Sequence, residues 1–264
     1  MPERRIFGTQ EWAVKTANCL EGCAHDCKYC YAKSMAIRFG RKKPETWHSE
    51  ERRLDRIGNA CRGRPTRVMF PSTHDITPSS LPTSLAAIEQ LLEYGHSILV
   101  VSKPHVDCIA AICREFDDYR EKILFRFTMG SAEDETLSFW EPNAPSFMER
   151  LDSLCFVHER DFRTSVSCEP MLDSDVEAVV STVSPYVTDA IWIGKANQLR
   201  QRLKINGATD GETARRAEAL IASQSAECTD APFRRLSGNK QVKWKDSIKK
   251  MVGLEMPARP GLDI

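Results

Sequence analysis

The chain has 264 residues, 41% of them hydrophobic, and its 37 basic residues are balanced by 37 acidic ones. That balance excludes a histone-like polycation but leaves room for a local basic patch. The longest aliphatic run, Ile98 to Val101, is far short of the roughly 20 residues of a membrane helix, so no membrane partner is expected. Residues Met1 to Ile6 carry no apolar leader core, which makes a cytoplasmic location the expectation.

In chain order, the first predicted strand lies over about 12–18, just ahead of Cys19. Arg67 to Phe70 is the second, ending at Pro71. A helix over about 79–94 follows, with Leu85, Ile88, Leu91 and Leu92 on one face and Gly95 as its stop. Ile98 to Ser102 is the third strand; Val106, Ile109, Ile112, Cys113 and Phe116 then recur at helical spacing. Ile123 to Thr128 is the fourth. Residues 145–159 read as a helix carrying Phe147, Leu151, Leu154 and Cys155. Residues 163–168 and 190–194 supply strands five and six, each followed by a helical pattern. About six strand–helix units imply an α/β chain with a parallel sheet and right-handed crossovers, either doubly wound or a partial barrel. The weakest boundary is Asn206 to Gly211. Residues 1–206 are therefore expected to form the sheet-bearing unit, and 207–264 a helical, basic extension packed on it.

In such a fold the loops at the carboxyl ends of the strands carry the chemistry. Here they hold Cys19 to Cys30, Ser72 to Asp75, Ser102 and Lys103, Thr128 to Ser131, Glu169, and Lys195 to Asn197. Alternation puts Ser165, Ser167 and Glu169 on one face of the fifth strand and Arg126 and Thr128 on one face of the fourth; these polar faces are expected to line the lumen, with Cys168 behind the sheet.

Four of the ten cysteines fall between Cys19 and Cys30, and Cys23, Cys27 and Cys30 make C-x3-C-x2-C. Three thiolates on one short loop can hold three irons of a [4Fe–4S] cluster and leave the fourth open to a ligand. Two alternatives stand beside this one. One is a structural zinc site, with His25 as an added ligand, in a non-catalytic binding module. The other is an electron-transfer cluster with Cys19 as the fourth ligand.

The C-x3-C-x2-C spacing, with Tyr29 before the last cysteine, resembles the signature of the radical S-adenosylmethionine (SAM) superfamily. That resemblance implies a partial (β/α)6 TIM-like barrel, with the cluster loop of residues 19–31 after the first strand. It also implies a [4Fe–4S] cluster on Cys23, Cys27 and Cys30. SAM would be chelated at the open iron and cleaved to a 5′-deoxyadenosyl radical, with electrons from an external flavodoxin- or ferredoxin-like reductant. Asn18 to Cys23 through Tyr31 and Ala32 is similar to the spore photoproduct lyase and DNA repair photolyase-like branch. Glu141-Pro142 with Glu149-Arg150-Leu151, Cys168 to Leu172 and Trp192 to Lys195 also resemble that group or related phage-borne proteins.

For SAM, Asp75 is the candidate partner of the amino group and Lys103 of the carboxylate. Thr128 and Ser131 are candidates for carboxylate or ribose, Ser72 and Ser102 for further polar contacts, and the backbone around Tyr29 for adenine. His74, Arg126, Glu169, Lys195 and Asn197 are the substrate-side candidates. A basic run with an interleaved aromatic (Arg234, Arg235, Lys240, Lys243, Trp244, Lys245, Lys249, Lys250) suits phosphate contact and base stacking and supports a nucleic-acid or nucleotide substrate. A solvated helix face explains the same run, and a peptide or small metabolite is the alternative substrate.

Overall fold

The computed structural model describes Ile6 and residues 8–262. Residues 1–5, on which the expectation of no leader largely rests, lie outside the described residues. Among the described residues nine strands occur in chain order: β1 (Lys15–Thr16), β2 (Leu20–Glu21), β3 (Glu51–Arg52), β4 (Arg67–Phe70), β5 (Ser97–Ser102), β6 (Ile123–Thr128), β7 (Arg163–Cys168), β8 (Ile191–Ile193) and β9 (Val242–Trp244). Seven of them form one sheet in the order β1-β4-β5-β6-β7-β8-β9, every pair parallel; β2 and β3 form a separate antiparallel pair.

The two faces of the sheet differ in chemistry. Phe70, Val100, Phe125, Phe127, Val166 and Cys168 point outward, into one continuous core with Ile88, Leu91, Ile109, Ile112, Leu154 and Val157 from the covering helices. Full burial of each such side chain contributes about 1.5–3 kcal/mol. The other face carries Met69, Leu99, Leu124 and Trp192, joined by Trp12, and between them sit Arg126, Ser165 and Ser167, all buried. The alternation read from the sequence holds, with the polar set facing the lumen and Cys168 in the outer core. Burial pushes the Cys168 thiol up to about 12, as expected of an inert core cysteine.

The helices follow the predicted ranges closely. Leu81–Glu93 covers β4 and β5 and stops before Gly95, whose φ of +80° is the left-handed conformation a helix end favours. Val106–Glu115 buries Ile109, Ile112 and Cys113 as expected; Phe147–His158 buries Phe147 and Leu154 of its expected face, with Val157 added and Leu151 and Cys155 only half-buried. The second is started by Ser146, whose side chain accepts from the Glu149 N–H at 3.2 Å.

The C-terminal expectation requires a correction. Residues 207–264 are not only a helical appendage, because β9 adds a seventh strand beside β8 (Ile193 paired with Trp244) and completes the barrel sheet. The basic run is largely absorbed into the fold. Trp244 is buried with its ring centroid 5.0 Å from that of Phe233. Lys245 is fully buried, its Nζ 2.7 Å from Glu11, and Lys249 lies 3.8 Å from the same carboxylate. Arg234, Arg235 and Lys250 pair with Asp230, Glu177 and Asp246. A buried tryptophan has no face to offer a base, so this segment is not the stacking surface that its composition suggested.

The lumen floor is a stack of aromatics and cations. The Trp12 and Trp192 rings meet edge-on at 5.8 Å, with the Arg126 guanidinium 4.8 and 5.4 Å from their centroids and Lys245 Nζ 4.1 and 5.7 Å away. Among the described residues no helix is long and apolar enough to cross a membrane.

Candidate functional site

The cysteine loop leaves β2 and is folded against Trp47 to Ser49. Gly22 has a φ of +103°, and a Cβ there would collide with the Ser49 carbonyl, so only glycine fits. The Cys23 N–H then bonds to the Trp47 carbonyl at 3.0 Å. Two tight turns, Asp26 N to Cys23 O at 3.2 Å and Cys30 N to Cys27 O at 3.1 Å, fold the loop so that Cys27 and Cys30 lie close enough to act on the Cys23 thiol. Cys30 caps the helix Tyr31–Arg38, its Sγ accepting from the Lys33 N–H at 3.4 Å; Cys23 Sγ accepts from the Asp75 N–H at 3.4 Å. Burial raises the pKa of all three thiols. The charges of Cys27 and Cys30 raise that of Cys23 further, while nearby Lys103 favours all three thiolates. Amide donors, a helix N-terminus and a lysine thus surround the sulfurs with what an anionic sulfur centre requires.

Cys19 is not part of this set. It is fully buried in the outer core, burial pushes its thiol up to about 12, and its neighbour is His74, whose Nε2 lies 3.9 Å from the sulfur. Three thiols without a fourth fit a cluster with one open iron better than a four-cysteine zinc or ferredoxin site.

Asp75, after β4, is the hub of the mouth. Its Oδ1 accepts from Ser102 Oγ (3.1 Å) and the Lys103 N–H (2.8 Å); its Oδ2 accepts from Lys103 Nζ (3.2 Å) and faces His25 Nδ1 (2.9 Å). Burial works against the carboxylate, but Lys103 and then His25 outweigh it and hold Asp75 well below the usual range. With both oxygens doubly engaged, Asp75 positions Lys103 rather than waiting for an amino group, which corrects its expected role. Ser102 is corrected likewise, since its hydroxyl donates to Asp75 and accepts from the Ile76 N–H at 3.1 Å. Lys103 uses one ammonium proton on Asp75 and keeps two for a ligand. From His25 a chain of polar contacts continues to His105 (Nε2 to Nε2, 3.0 Å) and Glu149 (3.4 Å from His105 Nδ1).

On the β6 side, the Tyr29 hydroxyl donates to Glu141, which is held in turn by Arg150 at 2.6 Å; both members of that ion pair are fully buried. Arg150 also donates to the Thr128 carbonyl (3.1 Å) and the Pro145 carbonyl (2.9 Å). The Tyr29 side chain thus ties the cluster loop to the end of β6. Ser131 is buried, its Oγ accepting from the Glu133 N–H at 2.9 Å, and Ser72 Oγ accepts from Asn18 at 2.9 Å. Asn206, from the helix Leu199–Asn206, donates to the Lys28 and Cys30 carbonyls at 2.9 and 3.0 Å.

The substrate-side candidates separate. His74 accepts the Cys19 N–H at Nε2 (3.2 Å) and so donates from Nδ1 to the Asp75 carbonyl (2.9 Å). Both ring nitrogens are used by backbone, and burial depresses its pKa. Arg126 lies in the floor, 3.2 Å from Asp189 and 2.9 Å from Ser165, away from the cysteine loop. Both are therefore corrected from substrate ligands to structural groups. Glu169, Lys195 and Asn197 are at the mouth. Burial raises the Glu169 pKa against the pull of Lys245, 3.5 Å away, and burial lowers that of Lys195, whose Nζ lies 3.2 Å from Met251 Sδ. Gly194 lets these elements meet, since a Cβ there would stand 2.9 Å from Lys245 and 3.0 Å from Glu169.

Sequence reasoning missed the role of Asn206, the His25–His105 contact, the Glu141–Arg150 brace as a support of Tyr29, and Arg202. Apart from His25, which lies between Cys23 and Cys27, their signals are single polar residues inside helices or loops, far in sequence from the cysteines.

No family model matches the chain. An uncharacterized protein, ORF301 of Acidianus two-tailed virus, is 25% identical over 205 residues, covering 69% of this chain and 65% of that protein. The chain thus spans about two thirds of that relative's length. Among solved structures, a mutant spore photoproduct lyase superposes with a TM-score of 0.56 at 17% identity, over 79% of this chain and 66% of that one. SuiB of Streptococcus suis bound to S-adenosylmethionine superposes with a TM-score of 0.54 at 8% identity, over 94% of this chain and 54% of that one. These are likenesses of fold. The described residues thus share the partial TIM-like barrel fold of those two structures, the fold that the resemblance of the cysteine motif implied.

Proposed function

We propose that this chain is a radical SAM enzyme with one [4Fe–4S] cluster on Cys23, Cys27 and Cys30. The observation that carries the reading is the set of three convergent thiols at a barrel mouth from which the fourth nearby cysteine, Cys19, is turned away. When bound and fed by a flavodoxin- or ferredoxin-like donor, the cluster would supply reductive cleavage of SAM to a 5′-deoxyadenosyl radical for hydrogen abstraction from the substrate.

The chain's own residues hold and orient. Lys103, fixed by Asp75, offers two N–H donors to the SAM carboxylate. The hydroxyls of Thr128, Ser131 and Ser72 stand at the strand ends where the ribose and amino acid would lie. Tyr29, held by Glu141, keeps the loop backbone in place for adenine. Glu169, Lys195 and Asn197 face the substrate from the opposite side. A nucleic acid or nucleotide is the substrate class that the spore photoproduct lyase likeness favours; the engaged 234–250 segment lends it no stacking surface, and a peptide or metabolite is the alternative.

Purification without oxygen, reduction with dithionite and addition of SAM should yield 5′-deoxyadenosine by mass spectrometry, from protein that contains iron and sulfide. Cys27→Ala should abolish both. A second reading rests on one observation: the ligand atoms of Cys23, His25 and Asp75 lie within 4.8 Å of one another, close enough for a single ion. Zinc without 5′-deoxyadenosine would establish that reading and end the first.

A further inference from the structure

Among the described residues, the fully buried arginines have counterions, while a half-buried one at the mouth has none. Arg126 pairs with Asp189 and Arg150 with Glu141. Arg202 is half-buried in the helix Leu199–Asn206, and among the described residues its side chain has no ion pair and no hydrogen bond. Its one partner is the ring of Tyr31, 5.7 Å from the guanidinium carbon.

Its position is fixed from two directions. Arg202 and Asn206 are four residues apart on one helix and share a face, and Asn206 is bonded to the carbonyls of Lys28 and Cys30. Tyr31 directly follows the last cysteine of the motif and is itself half exposed. The groups close enough to act on the Arg202 charge are Cys30, Glu169, Tyr31 and Tyr29, which are the cluster loop and the substrate-side carboxylate. A guanidinium withdrawn from water without a counterion is a cost to the fold. Burial even lowers its pKa, whereas Arg150, likewise buried, is raised by Glu141. A planar fork of five N–H donors left open beside the site is suited to a bidentate oxyanion.

We propose that Arg202 is the anion-binding residue of the mouth, receiving a carboxylate or phosphate of the ligand that enters beside Cys30. The assignment rests on the reading of this mouth as the active site. Tyr31 supports the guanidinium through its ring, and Asn206 locks the helix that carries it to the cluster loop. The anion has two possible sources, the substrate or the carboxylate of SAM.

The test compares the wild-type chain with Arg202→Gln, which keeps length and polarity and removes the charge. Melting is recorded in inorganic phosphate and in chloride of equal ionic strength. Phosphate at tenfold its dissociation constant should raise the wild-type midpoint by about 3–5 °C and leave Arg202→Gln unmoved. An equal rise in both proteins overturns the proposal. So does an Arg202→Gln protein that melts several degrees lower in chloride, because that loss belongs to a structural brace.

Calorimetric titration of the cluster-loaded protein with SAM identifies the source. A loss of about tenfold or more in SAM affinity, with phosphate competing, assigns the anion to SAM. Affinity within about twofold, with phosphate not competing, assigns it to the substrate. The iron and sulfide content of the same samples reports separately on the cluster, so its absence would sink the enzyme reading while the phosphate comparison still judged Arg202.

Discussion

The two sides of the mouth are built differently. The side made by the cysteine loop and the ends of β4, β5 and β6 is cross-bonded at nearly every polar atom: Asp75 to four donors, Tyr29 to Glu141, Glu141 to Arg150, Arg150 to two carbonyls. The side made by the ends of β7 and β8 and the helix Leu199–Asn206 is looser. Lys195 and Asn197 are half-buried, Arg202 has only a ring for company, and Glu169 keeps one long contact to Lys245. A saturated network fixes geometry, whereas open donors and acceptors wait for a partner. The contrast teaches which half suits an invariant cofactor and which suits the substrate.

The largest expected effect comes from breaking the rigid side at its buried ion pair. Arg150→Ala leaves the Glu141 carboxylate without its counterion and should cost about 3–5 kcal/mol in urea unfolding, together with loss of cluster occupancy. The double variant Glu141→Leu with Arg150→Met should recover much of that stability, since it strands no charge. If both variants proved equally unstable, packing rather than charge would hold Tyr29.

Asp75→Asn should come next, at about 1.5–3 kcal/mol, by freeing Lys103 and His25. Iron retention and SAM binding should fall with it. Wild-type iron content would show that the hub does not support the loop.

Metal loading supplies a pH signature. Burial raises the thiol pKa values of Cys23, Cys27 and Cys30, so in the metal-free chain at neutral pH these groups carry protons that a metal must displace. Affinity for iron or for probe zinc should therefore rise with pH, by about tenfold per unit for each thiol displaced. Titration in buffers of different ionisation enthalpy measures the protons released; none released would mean thiolates preformed by Lys103 and the amide donors.

The smallest effects on stability belong to the loose side. Lys195→Ala and Asn197→Ala should shift unfolding by no more than about 0.5 kcal/mol and spare 5′-deoxyadenosine formation without substrate, while impairing turnover of the substrate once it is found. A large loss of stability in either would erase the contrast between the two sides.

The legibility of these regions followed the range of their contacts. β4, β6 and β7 were readable to the residue, and the helix stop at Gly95 to within two, because apolar runs and glycine act locally. β1 shrank to two residues, since the rest of its predicted span is taken by the turn after Thr9 and the approach to the cysteine loop. β9 escaped because Val242 to Trp244 is three residues inside a basic run, and only pairing with β8 makes it a strand. The cysteines, Lys103 and the strand-end hydroxyls could be placed from spacing. Their supports could not, because Tyr29 meets Glu141 across 112 positions and Cys30 meets Asn206 across 176. Asp75 and Ser102 were found for their location, but their saturation by neighbours is a property of the assembled site.

The lumen floor has a consequence for the order in which this molecule is made. Trp12 and Glu11 are synthesised long before Lys245, which bonds to Glu11 and, across 237 positions, to the Gly8 carbonyl. The Gln10 carbonyl is reached later still, by the Gly261 N–H. A loop that long closes only when its far end has left the ribosome. During translation the barrel is therefore a trough open at its base, and Trp12 has no lid until β9 docks.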